Sequence, residues 1–442
     1  MSRAKRVKRS VWLSGTVAIF VLAVLSADGE SMKPMKAFVR QRNIFVPSPA
    51  SGVGVVAATF YSSLRGDLVS IHTLVSRSDT ADEGYLRFSS DNGRTWSATV
   101  AWPTRFEAPG GTGRRHPRGG YCDPRTGRYL TVWTEGVLPT DHPLEGMRRW
   151  TLCYSVSEDG GRTMTIREPI VEDGPGFDRE HPLPGVTVGR NCVMIGDMTC
   201  RPLTLSDGTI LVPVQSSVTG PTGDYANPTG SGWTYTDALV LRGRWKPDGR
   251  IAWHASERVQ ADPARSVRGL IEPTLGQLDD GRLLMVMRGS NQDRPALPGH
   301  KWYAISRDDG LTWSKPQPWT FDDGDAFLSP SACSQLIPHS SGRLLWMGNI
   351  TPVNPNGNGP RYPLVVAEVD PHTGLLRRRT VTVIDDRQPG ESEALTLSNF
   401  CVREDRENAD LVLHMTRFFA DPSKSEAQKW EADAFVYRIG IE

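Results

Sequence analysis

Glu272 and Arg288 flank the segment PTLGQLDDGRLLMVM, sixteen positions apart. Leu278-Asp279-Asp280-Gly281 is a turn signal, and Leu283–Met287 is a short apolar strand. A hairpin that returns on itself brings the two charges to the same end of neighbouring strands. Other acids and arginines occur at comparable places. Arg77 and Asp82 lie in SRSDTADEG, with Asp79 competing for the acid's role; a mobile loop tip that excludes water suits an acid of raised pKa. Arg361 opens PRYPLVV, and Glu391 stands in Gly390-Glu391-Ser392. Hydrolysis of a glycosidic bond needs an acid for the leaving oxygen and a second group at the oxocarbenium-like centre. A sugar that carries a carboxylate also calls for arginines, whose planar fork pairs with it in bidentate fashion.

The elements that must position these residues repeat. A Gly- or Asp-containing turn followed by an apolar strand occurs six times, before LVSIHTLV, RYLTVW, TILVPV, RLLMVM, RLLWM and LVLHM. The spacing of about 60 to 80 residues leaves room for four strands and their loops, which predicts propeller blades. A second motif interleaves with the first. Ser89–Trp96 and Ser306–Trp313 read S-x-D-x-G-x-T-W, and Ser157–Met164 differs only in its final Met. The Asp bonds its own backbone, Gly supplies a positive φ, and Trp packs back on the sheet, so each copy is expected to be a structural hairpin tip.

These repeats resemble the Asp-box of the sialidase superfamily, over most of residues 40–442. The resemblance implies an all-β fold, a six-bladed β-propeller, with its active site at one end of the central axis and the Asp-boxes on the opposite, outer side. It implies an exo-glycosidase that removes terminal sialic acid. Arg77 and Asp82 have the family's spacing of an Arg and its acid/base Asp. Glu272 and Arg288 resemble the Glu that assists the nucleophile and the second triad Arg. Arg361 resembles the third. In the family, Gly-Tyr-Ser carries the tyrosine nucleophile; here Glu391 stands at that position. The Arg-Ile-Pro of the first triad Arg reads Phe45-Val46-Pro47. On this resemblance, Asp82, Glu272 and Glu391 are the catalytic set, and Arg77, Arg288 and Arg361 anchor substrate. A carboxylate nucleophile repels an anion at the anomeric carbon, so a neutral or uronic sugar, or a non-catalytic glycan- or protein-binding propeller, stays open.

Composition agrees with many turns and few helices: Gly 43, Pro 33 and Trp 13 among 442 residues. A formal net charge of +1 argues against a basic nucleic-acid binder. Arg3, Lys5, Arg6, Lys8 and Arg9 precede the apolar run Val11–Leu25, with Ser26-Ala27 after it. This predicts a signal peptide or N-terminal anchor over 1–27 and an exported propeller over 37–442, in a secreted, periplasmic or cell-surface setting. Membrane contact is expected only if the leader is retained. The partner is a glycan, and no cofactor or metal is expected. Cysteines 122, 153, 192, 200, 333 and 401 lack zinc-binding spacing and are read as buried thiols or one structural bridge. Softer site candidates are Glu135, Arg190, Asn191, Asp197, Arg201, Trp233, Tyr235 and Asp237. His72 and His414 sit in apolar strands as core residues.

Overall fold

A computed structural model describes residues 34–231 and 233–442; the expected leader lies outside them. Six antiparallel sheets follow one another along the chain. The first blade runs from Gly54–Tyr61 through Leu68–Val75 and Glu83–Ser89 to Val100–Trp102. The second has an added strand, Arg105–Ala108, before Gly111–Cys122, Tyr129–Leu138, Thr151–Ser157 and Ile166–Pro169. In the third, Val193–Met194 and Leu203–Thr204 both pair with Ile210–Ser217, followed by Thr236–Trp245 and Ile251–Ala255. The fourth blade comprises Ile271–Gln277, Leu283–Arg288, Lys301–Ser306 and Gln317–Pro318. The fifth comprises Gln335–Pro338, Leu344–Asn349, Leu364–Val369 and Thr382–Asp385. The sixth takes Cys401–Glu404, Leu411–Thr416 and Ala434–Ile441, and its outer strand is Ala37–Val46. The molecule is a six-bladed β-propeller.

In sheet order, and counting without the added strand of the second blade, all six turn-and-strand repeats form the second strand of their blades. Their apolar runs are continuous because each blade is covered on both faces by its neighbours. Ile210–Ser217, Leu283–Arg288, Leu344–Asn349 and Leu411–Thr416 are buried at every residue. The core is therefore a set of inter-blade layers. One joins Leu130, Tyr154 and Val132 of the second blade to Val212, Leu239 and Trp253 of the third. Each fully buried Leu or Val in such a layer contributes about 1.5–3 kcal/mol.

The three Asp-boxes close the turn after the third strands of blades one, two and four. In the first, Asp91 accepts from Ser89 Oγ at 2.7 Å, Thr95 N at 2.9 Å and Thr95 Oγ1 at 2.6 Å. These bonds, Thr95's hydroxyl foremost, hold its carboxyl well below the usual range. Asp159 and Asp308 repeat the pattern. The ring is closed by its two ends: Ala37–Val46 pairs antiparallel with Ala434–Ile441. That contact covers the edge of the last blade. Ser423–Lys429 makes turns and no helix. A short helix at Gly146–Arg149 was not legible in the sequence. Among the described residues, no helix is long and apolar enough to cross a membrane.

Candidate active site

The first strand of the fourth blade is broken where chemistry is needed. Its pairing with Leu283–Arg288 slips between Ile271 and Thr274, and Glu272 there has φ 49°. A bulge re-aims a side chain. A left-handed conformation at a non-glycine residue costs on the order of 1–3 kcal/mol and is held only by its surroundings. Those surroundings are visible. Glu272 N donates to Gln215 Oε1 of the third blade at 2.6 Å, and Glu272 Oε1 accepts from Arg288 Nη1 at 2.8 Å. Oε2 is buried without a hydrogen-bond partner.

Each nitrogen of the Arg288 guanidinium has a partner. Besides Glu272, it donates from Nε to Ser331 Oγ at 2.8 Å and from Nη2 to Asn358 Oδ1 at 3.0 Å. Ser331 also serves Arg361, whose Nη2 donates to its carbonyl at 2.9 Å. Lys301, wholly buried, donates to the carbonyls on either side of Ser331, those of Pro330 and Ala332. One short segment thus fixes two guanidinium groups, and a buried ammonium fixes the segment. Asn349 locks the backbone of Arg361 through its carbonyl at 3.1 Å.

Opposite Glu272 lies Asp197, 6% exposed, in the loop after Val193–Met194. It accepts from Met198 N at 2.7 Å and from Asn399 Nδ2 of the facing sixth blade at 2.8 Å. Gly196 beside it is pressed on Glu272. The two carboxyl groups are driven in opposite directions. Burial works against the charged form of Glu272, but Arg288, Arg361 and Lys301 outweigh it and hold its pKa below the ordinary value. Burial pushes Asp197 upward and the charge of Glu272 adds to that, while Arg118 opposes. Arg118 arises from the bulge between Pro117 and Gly119 in Gly111–Cys122. Arg268, 7% exposed, completes the set and donates to Thr234 Oγ1 at 2.7 Å. Burial and the charge of Arg288 bring Arg268 down to about 9, Arg361 to about 10 and Lys301 to about 7.

Of the six residues expected from the sequence, the structure brings Glu272, Arg288 and Arg361 together and places the other three differently. Asp82 turns onto its own loop, where Oδ2 accepts from Ser76 N at 2.9 Å and Ser76 Oγ at 2.8 Å. Its competitor Asp79, with φ 54° at the exposed tip, is the acid whose charge reaches Arg268 and Arg361. Arg77 is drawn to Asp141 at 2.8 Å, which Arg114 also grips. Glu391 is gripped through both oxygens by Arg417 at 2.6 Å, and Arg417 in turn pairs with Asp385 at 2.6 Å. Its carboxylate is taken up by this ion pair, beside a cleft lined by Arg42, Phe419 and Phe435. Phe45 packs between Arg87, Trp96 and His414.

A family model adds a further observation: that of the BNR repeat-like domain matches residues 146–392, more than half of the 442-residue chain. The chain belongs to the BNR repeat-like domain family. Among curated proteins none matches it. Solved structures share the fold at low identity. A protein of unknown function from Dyadobacter fermentans is 13% identical, with TM-score 0.59, over 92% of this chain and 99% of that one. The Hadza microbial sialidase Hz136 is 15% identical, with TM-score 0.53, over 88% and 65%. The α-L-arabinofuranosidase arb93a of Fusarium graminearum is 14% identical, with TM-score 0.53, over 91% and 98%.

In this BNR repeat-like chain, the sequence reading missed Arg118, Arg268, Lys301 and Ser331 as site residues and gave Asp197 only a minor place. The bulge at Arg118 has a faint signal in the following Gly119-Gly120. Arg268 and Lys301 have none. Among the softer candidates, Trp233 is 61% exposed while Tyr235 and Asp237 are buried. Glu135 is bonded to Arg115 at 2.8 Å and Trp133 Nε1 at 2.9 Å. His72 stacks on Tyr85, and His414 bonds Thr59 Oγ1 at 2.9 Å, as core residues do. The six cysteines are buried and unpaired. Among the described residues, no group of three or more His, Cys, Asp or Glu could hold a metal ion.

Proposed function

We propose that this chain is an exported exo-glycosidase acting by acid/base catalysis, with the 1–27 segment as its export signal and the propeller as its catalytic body. One observation carries the reading: Asp197 and Glu272 are neighbouring carboxyl groups whose surroundings drive their pKa values apart. Such a pair supplies an acid and an ionised partner at one pH. Asp197 gives its proton to the leaving oxygen. Glu272, kept ionised by Arg288, meets the positive charge that develops at the anomeric carbon. Arg268 and Arg361 hold an acidic group of the sugar. Names among proteins of the same fold, a sialidase and an arabinofuranosidase, support glycoside hydrolysis in general.

The first substrate in this reading is a terminal sialic acid on a glycoconjugate, because several guanidinium groups face the axis. A second reading, a uronic or neutral sugar, is favoured by the group beside Glu272. Among the described residues, no tyrosine hydroxyl is hydrogen-bonded to Glu272, and the carboxyl group that feels its charge is Asp197. A sialic acid bears its carboxylate on the anomeric carbon, where Glu272 repels it; a uronic acid bears it across the ring. Release of the aglycone from fluorogenic sialosides, uronides and arabinofuranosides tests both. Turnover of one, lost in Glu272→Gln and Asp197→Asn with folding intact, supports the reading. Turnover of none, with glycan binding retained, makes the propeller a binding module instead.

A further inference from the structure

The axial groups are unbalanced in charge and in hydrogen bonds. Arg118, Arg268, Arg288, Lys301 and Arg361 face Glu272, Asp197 and the exposed Asp79. Arg288 and Lys301 spend their donors on protein acceptors. The other three keep donors in reserve, although Arg268 Nη2 donates to Thr234 Oγ1 and Arg361 Nη2 to the Ser331 carbonyl. Arg118 Nε, Arg268 Nε and Nη1, and Arg361 Nε are buried with no acceptor. A buried charged donor left unpaired costs more than a neutral one. Four such atoms around one pair of carboxyl groups point to a ligand that brings its own acceptors.

Their distribution says more. The unspent donors come from two parts of the ring: Arg118 from the second blade, and Arg268 and Arg361 from the segments just before Ile271–Gln277 of the fourth and Leu364–Val369 of the fifth. Arg118, on the bulge of the second blade, is the cation felt most strongly at Asp197. Arg268 and Arg361 belong to the Glu272 side, where they share the field of Arg288 and of Asp79. One anion satisfies Arg268 with Arg361. It does not satisfy Arg118, which stands by the group that would protonate the leaving oxygen. The leaving side of the bond therefore meets a cation as well.

We propose that the site takes a glycan with an anionic group, carboxylate or sulfate ester, on each side of the bond between its two central sugars, so that Arg268 and Arg361 bind one anion and Arg118 the other. The position of that bond rests on the glycosidase reading above; the two anion subsites do not. The depressed pKa values of Arg268 and Arg361 agree: burial lowers each most, the charge of Arg288 adds to it, and a bound anion would offset both.

Inorganic sulfate is a probe free of sugar stereochemistry. Titrated calorimetrically into the full chain, and located by crystallography, it is expected at two positions by the axis. Arg118→Met should lose one and Arg268→Met the other, each weakening by at least tenfold with the thermal midpoint checked. One shared position, or two that neither substitution affects, overturns the proposal, and so does the absence of axial sulfate. A second arm uses digalacturonate, galacturonate and neutral galactobiose with the Glu272→Gln chain. Tighter binding of the diuronide by tenfold or more, reduced to the monouronide level by Arg118→Met, assigns carboxylates to both subsites. Sulfate at both subsites with binding of none of the three assigns sulfate esters. Galactobiose binding as tightly as digalacturonate overturns the idea. If both anions bind but no glycoside is cleaved, the charge map stands and the glycosidase reading falls.

Discussion

Gly196 and Glu272 are in contact so close that a Cβ on Gly196 would lie 2.6 Å from Cγ of Glu272 and 3.0 Å from its Cα. Since Cα is backbone, a side chain at 196 cannot be absorbed by a rotamer change alone. Gly196→Ala is expected to displace Glu272 and lower kcat by about 10- to 100-fold, the scale of a misplacement near 1 Å. Stability should fall by only about 1–3 kcal/mol. Steady-state kinetics beside thermal unfolding checks this; wild-type turnover would show that Glu272 needs no such exact seat.

Opposite shifts of Asp197 and Glu272 give a bell-shaped kcat/KM against pH. The acid limb reports protonation of Glu272, and the alkaline limb reports ionisation of Asp197. A sign for stability follows too. The folded state keeps the proton on Asp197 above its unfolded pKa, so this group's contribution falls as pH rises from the ordinary carboxylate value through the raised one. In Asp197→Glu the alkaline limb should move, and in Asp197→Asn, which loses turnover, stability in that window should flatten. An unmoved alkaline limb in Asp197→Glu would assign it to another group.

Lys301 runs the other way. Burial brings its pKa from 10.5 to about 7, so between those values the unfolded chain binds more protons and stability rises with pH. Lys301→Met should abolish that rise in urea-unfolding curves taken across the window. It should also raise KM, because Pro330 and Ala332 lose the ammonium that holds Ser331 against Arg288 and Arg361. A persistent pH slope would locate the proton uptake elsewhere.

For Glu391, the structure predicts a role in stability. Arg417→Met takes from Glu391 and the buried Asp385 their 2.6 Å ion-pair partner, leaving Asp385 only Arg42 at 3.9 Å, and should cost about 3–5 kcal/mol, as breaking a buried pair does. Glu391→Gln should leave kcat within about twofold, since a surviving chemical step at Glu272 needs no group there. Loss of turnover in Glu391→Gln with normal unfolding would return it to the reaction.

Asp79 and Asp82 can be separated in the same assay. Asp82→Asn keeps an acceptor for Ser76 and should leave kcat near wild type. Asp79→Asn removes the loop charge that Arg268 and Arg361 feel, and should change KM more than kcat. If Asp79→Asn abolishes turnover while Asp197→Asn does not, the proton donor is Asp79.

What the sequence shows well is the scaffold. Six turn-strand signals and three Asp-boxes are local, fixed by Gly, Asp and a run of Leu, Val and Met, and each became the element it predicted. Glu272 and Arg288 were legible as partners because a single hairpin joins them. Asp197 and Arg118 come from other blades and meet Glu272 only when the ring forms, and no spacing along the chain encodes that meeting; Lys301 is the cross-strand neighbour of Arg288 within the fourth blade, a pairing that only the register of the sheet reveals. Asp82 and Glu391 were chosen by position relative to a motif. Local bonds to Ser76 and Arg417 decided their orientation, and these depend on φ and on distant strands. The φ of 54° at Asp79 is the clearest case: one backbone angle separates the two acids of the same loop.

The outer strand of the last blade, Ala37–Val46, precedes every other described strand in the chain, and its partner Ala434–Ile441 is the final one. A polypeptide emerging in order could assemble five blades and still hold its first strand idle. The zip is made only when the tail arrives. Until then the ring that sets the spacing between Asp197 on the third blade and Asn399 next to the sixth is not closed. Catalytic competence should thus appear late and all at once in refolding, after most of the β-structure signal, and cutting away residues 37–46 should cost far more than ten residues' worth of sheet.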